Sequence, residues 1–238
     1  MIQVQNYGRN NMPLESLAEL ADILETDKCK KYHNYVEFYE TAFQGLREKQ
    51  LKILEIGILK GESIQLWRRA FRNSQIYGAD IDQVYLDHIA TMPNVTPIFL
   101  NQTDSESLDN TAKFGPFDII IDDGIHTNLA QLLTWDKLWP QVNPGGWYII
   151  EDRHIGYREE FKGLKRRRSQ RDEPHDPNAS ITDFFTDILF ELALYGKYKF
   201  SNYKYYPEVP STYYQRTISH ITFTPGLIAI KKRDDASE

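Results

Sequence analysis

The chain has 238 residues, about one domain with room for a small appendage at roughly 100–200 residues per domain. Its 41% hydrophobic and 26% charged residues exclude a disordered or fibrous chain. With 28 Lys and Arg against 34 Asp and Glu, the formal charge of −6 gives no global reason to bind nucleic acid or an anionic membrane. One cysteine, Cys29, excludes an intramolecular disulfide and a multi-cysteine metal site. No apolar run approaches the roughly 20 residues that span a bilayer. The opening MIQVQNYGRNNMPLESL lacks the plan of a signal peptide, so a cytoplasmic protein is expected.

In chain order, Leu14, Leu17, Leu20, Ala21 and Leu24 recur at helical spacing over 14–25, with Pro13 just ahead. A polar stretch, TDKCKKYHNY, precedes a second amphipathic run from Tyr35 to Leu46. From Leu51 the pattern changes. Strands are expected over 51–57, 75–82, 95–100, 117–123 and 145–152. Helices are expected over 63–71, 84–90, 105–112 and 129–139. The alternation predicts an α/β fold with a doubly wound, mostly parallel sheet. Residues 153–179 are charged and lack apolar periodicity, which predicts a lid insertion. A helix over 180–195 follows, with Ser180 as N-cap. The stretch 219–232 then forms an antiparallel hairpin about Thr224-Pro225-Gly226. The expected organisation is a helical N-terminal cap (1–50) and an α/β ligand-binding domain (51–238).

Ligands of open parallel sheets bind at the carboxyl ends of the strands. The first strand ends in Glu55-Ile56-Gly57, with Gly61 beyond. Glycines there let backbone approach a ligand, but the loop does not match the dinucleotide pattern G-x-G-x-x-G. NAD is thereby disfavoured and other adenosine cofactors stay open. Asp80, ending the second strand, suits the two ribose hydroxyls or, alternatively, caps the next helix. Asp122-Asp123 and Glu151-Asp152 end neighbouring strands, roughly 5 Å apart. Four crowded carboxylates repel one another unless a cation joins them. Oxygen ligands suit magnesium first, then manganese or calcium; solvated helix caps are the alternative. His126, just past Asp123, is placed to act as general base beside such a cation; His154 and Arg153 are weaker candidates.

These segments together resemble class I S-adenosylmethionine-dependent methyltransferases. The resemblance is closest to metal-dependent sugar O-methyltransferases of the mycinamicin and tylosin type, with the cephalosporin-hydroxylase-like family related. It rests on TDKCKKYHNYVEFYE (26–40), LEIGILKGESIQLW (54–67), YGADID (77–82), NQTD (101–104), GPFDIIIDDGIH (115–126) and NPGGWYIIED (143–152). It implies a methyltransferase domain over 51–238 that uses S-adenosylmethionine and Mg2+ or Mn2+. Glu55 and Gly57 would line the methionine part of the cofactor, with Gly61, Ser63 and Ile81 nearby. Asp80 would bind ribose, Asn101 and Gln102 would sit near adenine, and Asp122 would serve the cofactor amino group or stand behind the metal. Asp123, Glu151 and Asp152 would hold the metal, with His126 as base. Thr26, Asp27, Lys28, His33 and Tyr35 would close the site, and Lys28, His33, Tyr35 and His154 would meet substrate.

The implied reaction moves a methyl group onto a hydroxyl of a sugar, glycosylated product or polysaccharide. A sulfonium already activates the methyl, so the protein chiefly positions and deprotonates the nucleophile. A small-molecule or saccharide partner is expected, no nucleic acid or membrane, and a homo-oligomer is compatible. Rival readings are a catechol-like or phosphorylated acceptor, or a non-catalytic nucleotide-binding scaffold.

Overall fold

The computed structural model describes residues 15–152, 180–199 and 212–235. The predicted lid, the basic run within it and His154 lie outside the described residues. Two helices come first, α1 (Leu17–Ile23) and α2 (Val36–Ala42). The alternating core follows: β1 (Lys52–Ile56), α3 (Glu62–Ala70), β2 (Gln75–Asp80), α4 (Gln83–Ala90), β3 (Val95–Phe99), α5 (Ser105–Ala112), β4 (Phe117–Asp122), α6 (Asn128–Leu138) and β5 (Val142–Ile150). Last come α7 (Ile181–Lys199), α8 (Tyr213–Thr217), β6 (Ile218–Thr224) and β7 (Leu227–Lys232).

The strands form one seven-stranded sheet in the order β3-β2-β1-β4-β5-β7-β6. β1 to β5 are parallel; β7 runs antiparallel to both β5 and β6. The predicted doubly wound sheet and terminal hairpin are therefore present. β5 starts earlier than the sequence pattern suggests, because the Pro144-Gly145-Gly146 stretch sits in a register irregularity rather than in a turn. The short α8 carries a capping box from Thr212 and Gln215, a signature not read from the sequence.

Strand alternation divides the core into two layers. Ile53, Ile76, Ile119, Ile121, Ile149 and Ala229 face the first layer, with Leu17, Leu20, Tyr39, Phe43, Trp67 and Phe71. Leu54, Ile56, Ile120, Tyr148, Ile150 and Ile228 face the second, with Leu108, Trp135, Leu138 and Phe185. Tyr39, Phe43, Trp67 and Phe71 stack in edge and face contacts, so the N-terminal helices share a core with the sheet. α1 starts at a capping box, Ser16 with Glu19, rather than at Pro13; such a cap contributes about 1 kcal/mol. Ser180 caps α7 as expected, accepting from the Asp183 amide at 3.0 Å.

Candidate active site

The two-residue period also sorts the acids. Glu55 follows Ile53 towards the layer containing α1–α3, whereas Asp122 follows Ile120 towards α6. The sheet ladder continues one step past the strands. The Asp123 amide donates to Ile56 O and the Glu151 amide to Asp122 O, each at 2.9 Å. Asp123 and Glu151 are thus held at adjoining strand ends, as the sequence spacing suggested.

The cation among them is Lys28. Its loop closes on itself: the Cys29 amide donates to Thr26 O, the His33 amide to Asp27 O and the Val36 amide to Lys28 O. The side chain is thereby turned inward and is 1% exposed. Nζ lies 2.7 Å from Asp123 Oδ2, 2.8 Å from Glu151 Oε2 and 3.4 Å from Glu55 Oε1. Burial opposes the ammonium charge, yet Asp123, Glu151, Glu55 and Asp27 hold its pKa well above the ordinary value. Burial raises the Asp123 carboxyl, and burial with Asp123 carries Glu151 well above its usual range. Burial pushes Glu55 up to about 7 against the pull of Lys28.

Tyr39 on α2 donates its hydroxyl to Glu151 Oε1, and burial keeps that phenol protonated. Both oxygens of Glu151 are therefore engaged. Tyr35 donates to Asp152 Oδ1 at 2.5 Å, and His33 Nδ1 lies 3.6 Å from the same oxygen while its ring stacks on Tyr35. Tyr39 was not singled out in the sequence, where it reads as one aromatic of an apolar helix face. Its signal is the four-residue step from Tyr35, which puts both on one side of α2.

Asp123, His126 and Asp152 each offer a ligand atom, and these atoms lie within 4.8 Å of one another. His126 Nδ1 is buried without a hydrogen-bond partner. His126 and Asp152 both hold left-handed backbone, φ 58° and 50°, a conformation costly for such residues and concentrated at functional sites. Gly57 (φ 82°) is required where it stands, since a Cβ would come within 2.6 Å of the Asp123 carbonyl carbon.

The remaining expected residues ring this centre on neighbouring strand ends. Asp80 accepts from the Ile58 amide at 3.0 Å and the Asp82 amide at 2.9 Å, so it braces the loop after β1. Beside it Ile81 is exposed. Gly61 is the N-cap of α3, and Ser63 donates to Glu55 Oε2 at 2.8 Å. Asn101 turns its carbonyl onto Thr103. Gln102 spends its side chain on the protein, donating to Asp122 Oδ1 at 2.7 Å and Thr134 Oγ1 at 3.1 Å, and accepting from the Ile125 amide. Tyr148 also donates to Asp122, whose carboxyl burial raises to about 7. Glu55, Ser63, Asp122 and Gln102 thus form the floor beneath the site. Asp80, Ile81, Asn101, Asp123, His126 and Asp152 are less buried and rim it.

This strand order, with β7 antiparallel and polar groups gathered at the carboxyl ends of β1 to β5, defines a Rossmann-like methyltransferase fold. Residues 54–153 match the methyltransferase domain family. The chain is 36% identical over 156 residues to mycinamicin VI 2''-O-methyltransferase of Micromonospora griseorubida, a match covering 62% of this chain and 38% of the relative. It is 29% identical over 209 residues to the 8-demethyl-8-alpha-L-rhamnosyl tetracenomycin-C 2'-O-methyltransferase of Streptomyces olivaceus, covering 84% of this chain and 50% of the relative. The chain therefore spans about half the length of these relatives, or less. The solved structure of the MycE methyltransferase from the mycinamycin biosynthetic pathway, in complex with Mg and SAH, superposes with a TM-score of 0.74 at 28% identity. That superposition covers 94% of this chain and 56% of MycE. Among the described residues no helix is long and apolar enough to cross a membrane.

Proposed function

We propose that the protein is a metal-dependent O-methyltransferase that takes the methyl group of S-adenosylmethionine and delivers it to a hydroxyl of a sugar or glycosylated small molecule. The observation that carries this reading is the convergence of Asp123, His126 and Asp152 at the strand ends of a methyltransferase fold. The donor chemistry fits a hard divalent ion: carboxylate oxygens suit magnesium or manganese, and the unpartnered His126 Nδ1 marks a place built for a further contact. Asp123 and Asp152 would hold the ion, joined by Glu151 where Lys28 releases it. A bound divalent ion supplies Lewis-acid activation and a template for the acceptor oxygen. S-adenosylmethionine would lie over the ends of β1 to β3, with Asp80 on its ribose and exposed Ile81 beside its base.

The chain's own groups have separable tasks. Asp80 anchors the first loop and presents charge to a diol. Gln102 fixes the Asp123–His126 turn through the Ile125 amide. Lys28 neutralises charge across the acid cluster, pairing with Asp123 and Glu151 and lying near Glu55. His126 removes the acceptor hydroxyl proton on a ring nitrogen. The relatives whose names specify a glycosyl position support a sugar acceptor, and the composition supports a cytoplasmic enzyme.

The test is calorimetry with S-adenosylhomocysteine, with and without EDTA, followed by transfer of labelled methyl to glycosylated acceptors. Cofactor binding survives chelation, because its contacts lie on β1 to β3, whereas transfer is lost. Full transfer in EDTA removes the metal from the mechanism.

A further inference from the structure

The antiparallel register of β5 and β7 pairs Ile150 with Ile228. Gly226 lies two residues before Ile228, in the β6–β7 turn, and Asp152 two residues after Ile150, and both meet Tyr35. Between them stands the ring of Tyr35, 3% exposed. Gly226 has φ 85°, and a Cβ there would come within 2.8 Å of Tyr35 Cε1 and 2.9 Å of Cζ, closer still to the hydroxyl. The turn is therefore packed onto the phenol end of Tyr35, with no space for a side chain. On the ring's other contacts, His33 stacks at 5.2 Å between centroids. The hydroxyl has one short bond, donated at 2.5 Å to Asp152 Oδ1.

We infer that Tyr35 is a positioning residue for Asp152, and that the Gly226 turn is the backstop seating its hydroxyl on that carboxylate. This rests on Asp152 being a metal ligand. Asp152 sits in left-handed backbone at the end of β5, where the ladder no longer fixes it. Its carboxylate needs an external hold to point one oxygen at Asp123 and His126. Tyr35 occupies one oxygen, Oδ1, and the hold it provides would orient the carboxylate towards a metal. Partners of this kind fix ligand orientation, and removing one typically costs about 10–100-fold in metal affinity. The device links the N-terminal loop, the last hairpin and the site through one phenol.

The experiment measures Mn2+ binding by electron paramagnetic resonance in wild type, Tyr35→Phe, Gly226→Ala and the double variant, with melting temperatures alongside. Tyr35→Phe keeps the ring and the fold, and its Mn2+ dissociation constant rises roughly 10–100-fold. Gly226→Ala weakens Mn2+ binding in the same direction, and adds nothing further once the Tyr35 hydroxyl is gone, since both act on one contact. Gly45→Ala is the control. Gly45 has φ 74° with open space around a Cβ, so alanine there lowers the melting temperature through backbone strain alone and leaves Mn2+ affinity unchanged. Wild-type Mn2+ affinity in Tyr35→Phe overturns the inference, as does a Gly226→Ala effect that adds in full to it. Failure of the wild type itself to bind Mn2+ overturns the metal reading and this inference with it.

Discussion

Lys28 Nζ and Glu151 Oε2 lie 2.8 Å apart although 123 residues separate them in the chain. The contact joins the N-terminal loop to the end of β5, and the same ammonium reaches Asp123 and Glu55. A cation is thus built into the acid cluster from the protein itself. Removing one partner of a buried pair leaves the other charge uncompensated, at a cost of about 3–5 kcal/mol. Lys28→Met, which keeps the stem and deletes the charge, is expected to lose stability of that order. The measurement is urea unfolding in EDTA, so that no divalent ion takes the ammonium's place. Wild-type stability would show that the three carboxylates do not depend on Lys28.

Glu55 sets a pH dependence in the metal-free protein. Burial raises its folded pKa to about 7, above the roughly 4.3 of an unfolded glutamate. Between those values the native state binds more protons than the unfolded state, so stability falls as pH rises. The contribution is full below about pH 4.3 and lost through about pH 7. Urea midpoints in EDTA are expected to be lower at pH 8 than at pH 5.5. Glu55→Gln, which stays neutral, removes Glu55's share of that slope, and Asp122, Asp123 and Glu151, whose carboxyls burial also raises, keep the remainder; an undiminished slope in the variant assigns the effect to those acids alone.

Much of this arrangement was legible in the sequence because it is local. The apolar run of β4 ends in Asp122-Asp123, the run of β5 ends in Glu151-Asp152, and a parallel sheet puts such ends side by side. The crowded carboxylates do gather round a cation, the Lys28 ammonium, where the sequence pointed only to a divalent ion. Lys28 could not be read as that partner: it lies 95 residues from Asp123 and sits in a run with Lys30 and Lys31 that resembles a solvated loop. Tyr39 was hidden for a different reason. An aromatic on an amphipathic helix fits the core, and only its hydroxyl contact with Glu151 gives it a second task. Gln102 was expected near adenine, and Asp122 at the cofactor amino group or behind the metal. Their side chains bond to each other, a contact the sequence did not reveal, since the alternation that points Ile120 at α6 points Asp122 there too.

Asp80→Ala is expected to weaken S-adenosylmethionine binding roughly 10- to 150-fold, the equivalent of about 1.5–3 kcal/mol for lost hydrogen bonds to a charged acceptor. The structure adds a second effect. Asp80 also receives the Ile58 and Asp82 amides, so the variant loosens the loop after β1. Asp82→Ala separates the two. It removes the α4 cap to Val84, at a cost of about 0.5–2 kcal/mol in stability, and leaves the Asp80 carboxylate in place. Calorimetry should find cofactor affinity reduced in the first variant and retained in the second. Equal affinities in all three proteins would take Asp80 out of the cofactor site.

His126 holds φ 58°, so alanine there would mix backbone strain with loss of the imidazole. Asparagine tolerates left-handed backbone better and cannot accept a proton at neutral pH, which makes His126→Asn the cleaner test. If the ring is the general base, turnover falls about 10²–10⁴-fold while S-adenosylmethionine affinity holds. A divalent ion held by Asp123 and Asp152 would moderate the loss, because it would itself lower the pKa of the acceptor hydroxyl. The variant's rate is then expected to climb with pH, as hydroxide replaces the base, and to respond to added imidazole. His126 also lies within ligand reach of Asp123 and Asp152, so Mn2+ affinity must be read on the same samples. Base loss alone leaves Mn2+ affinity near wild type, whereas loss of a ligand lowers it in step with turnover. Wild-type turnover across the pH range at saturating magnesium would remove His126 from the chemistry and make His154 the next residue to replace.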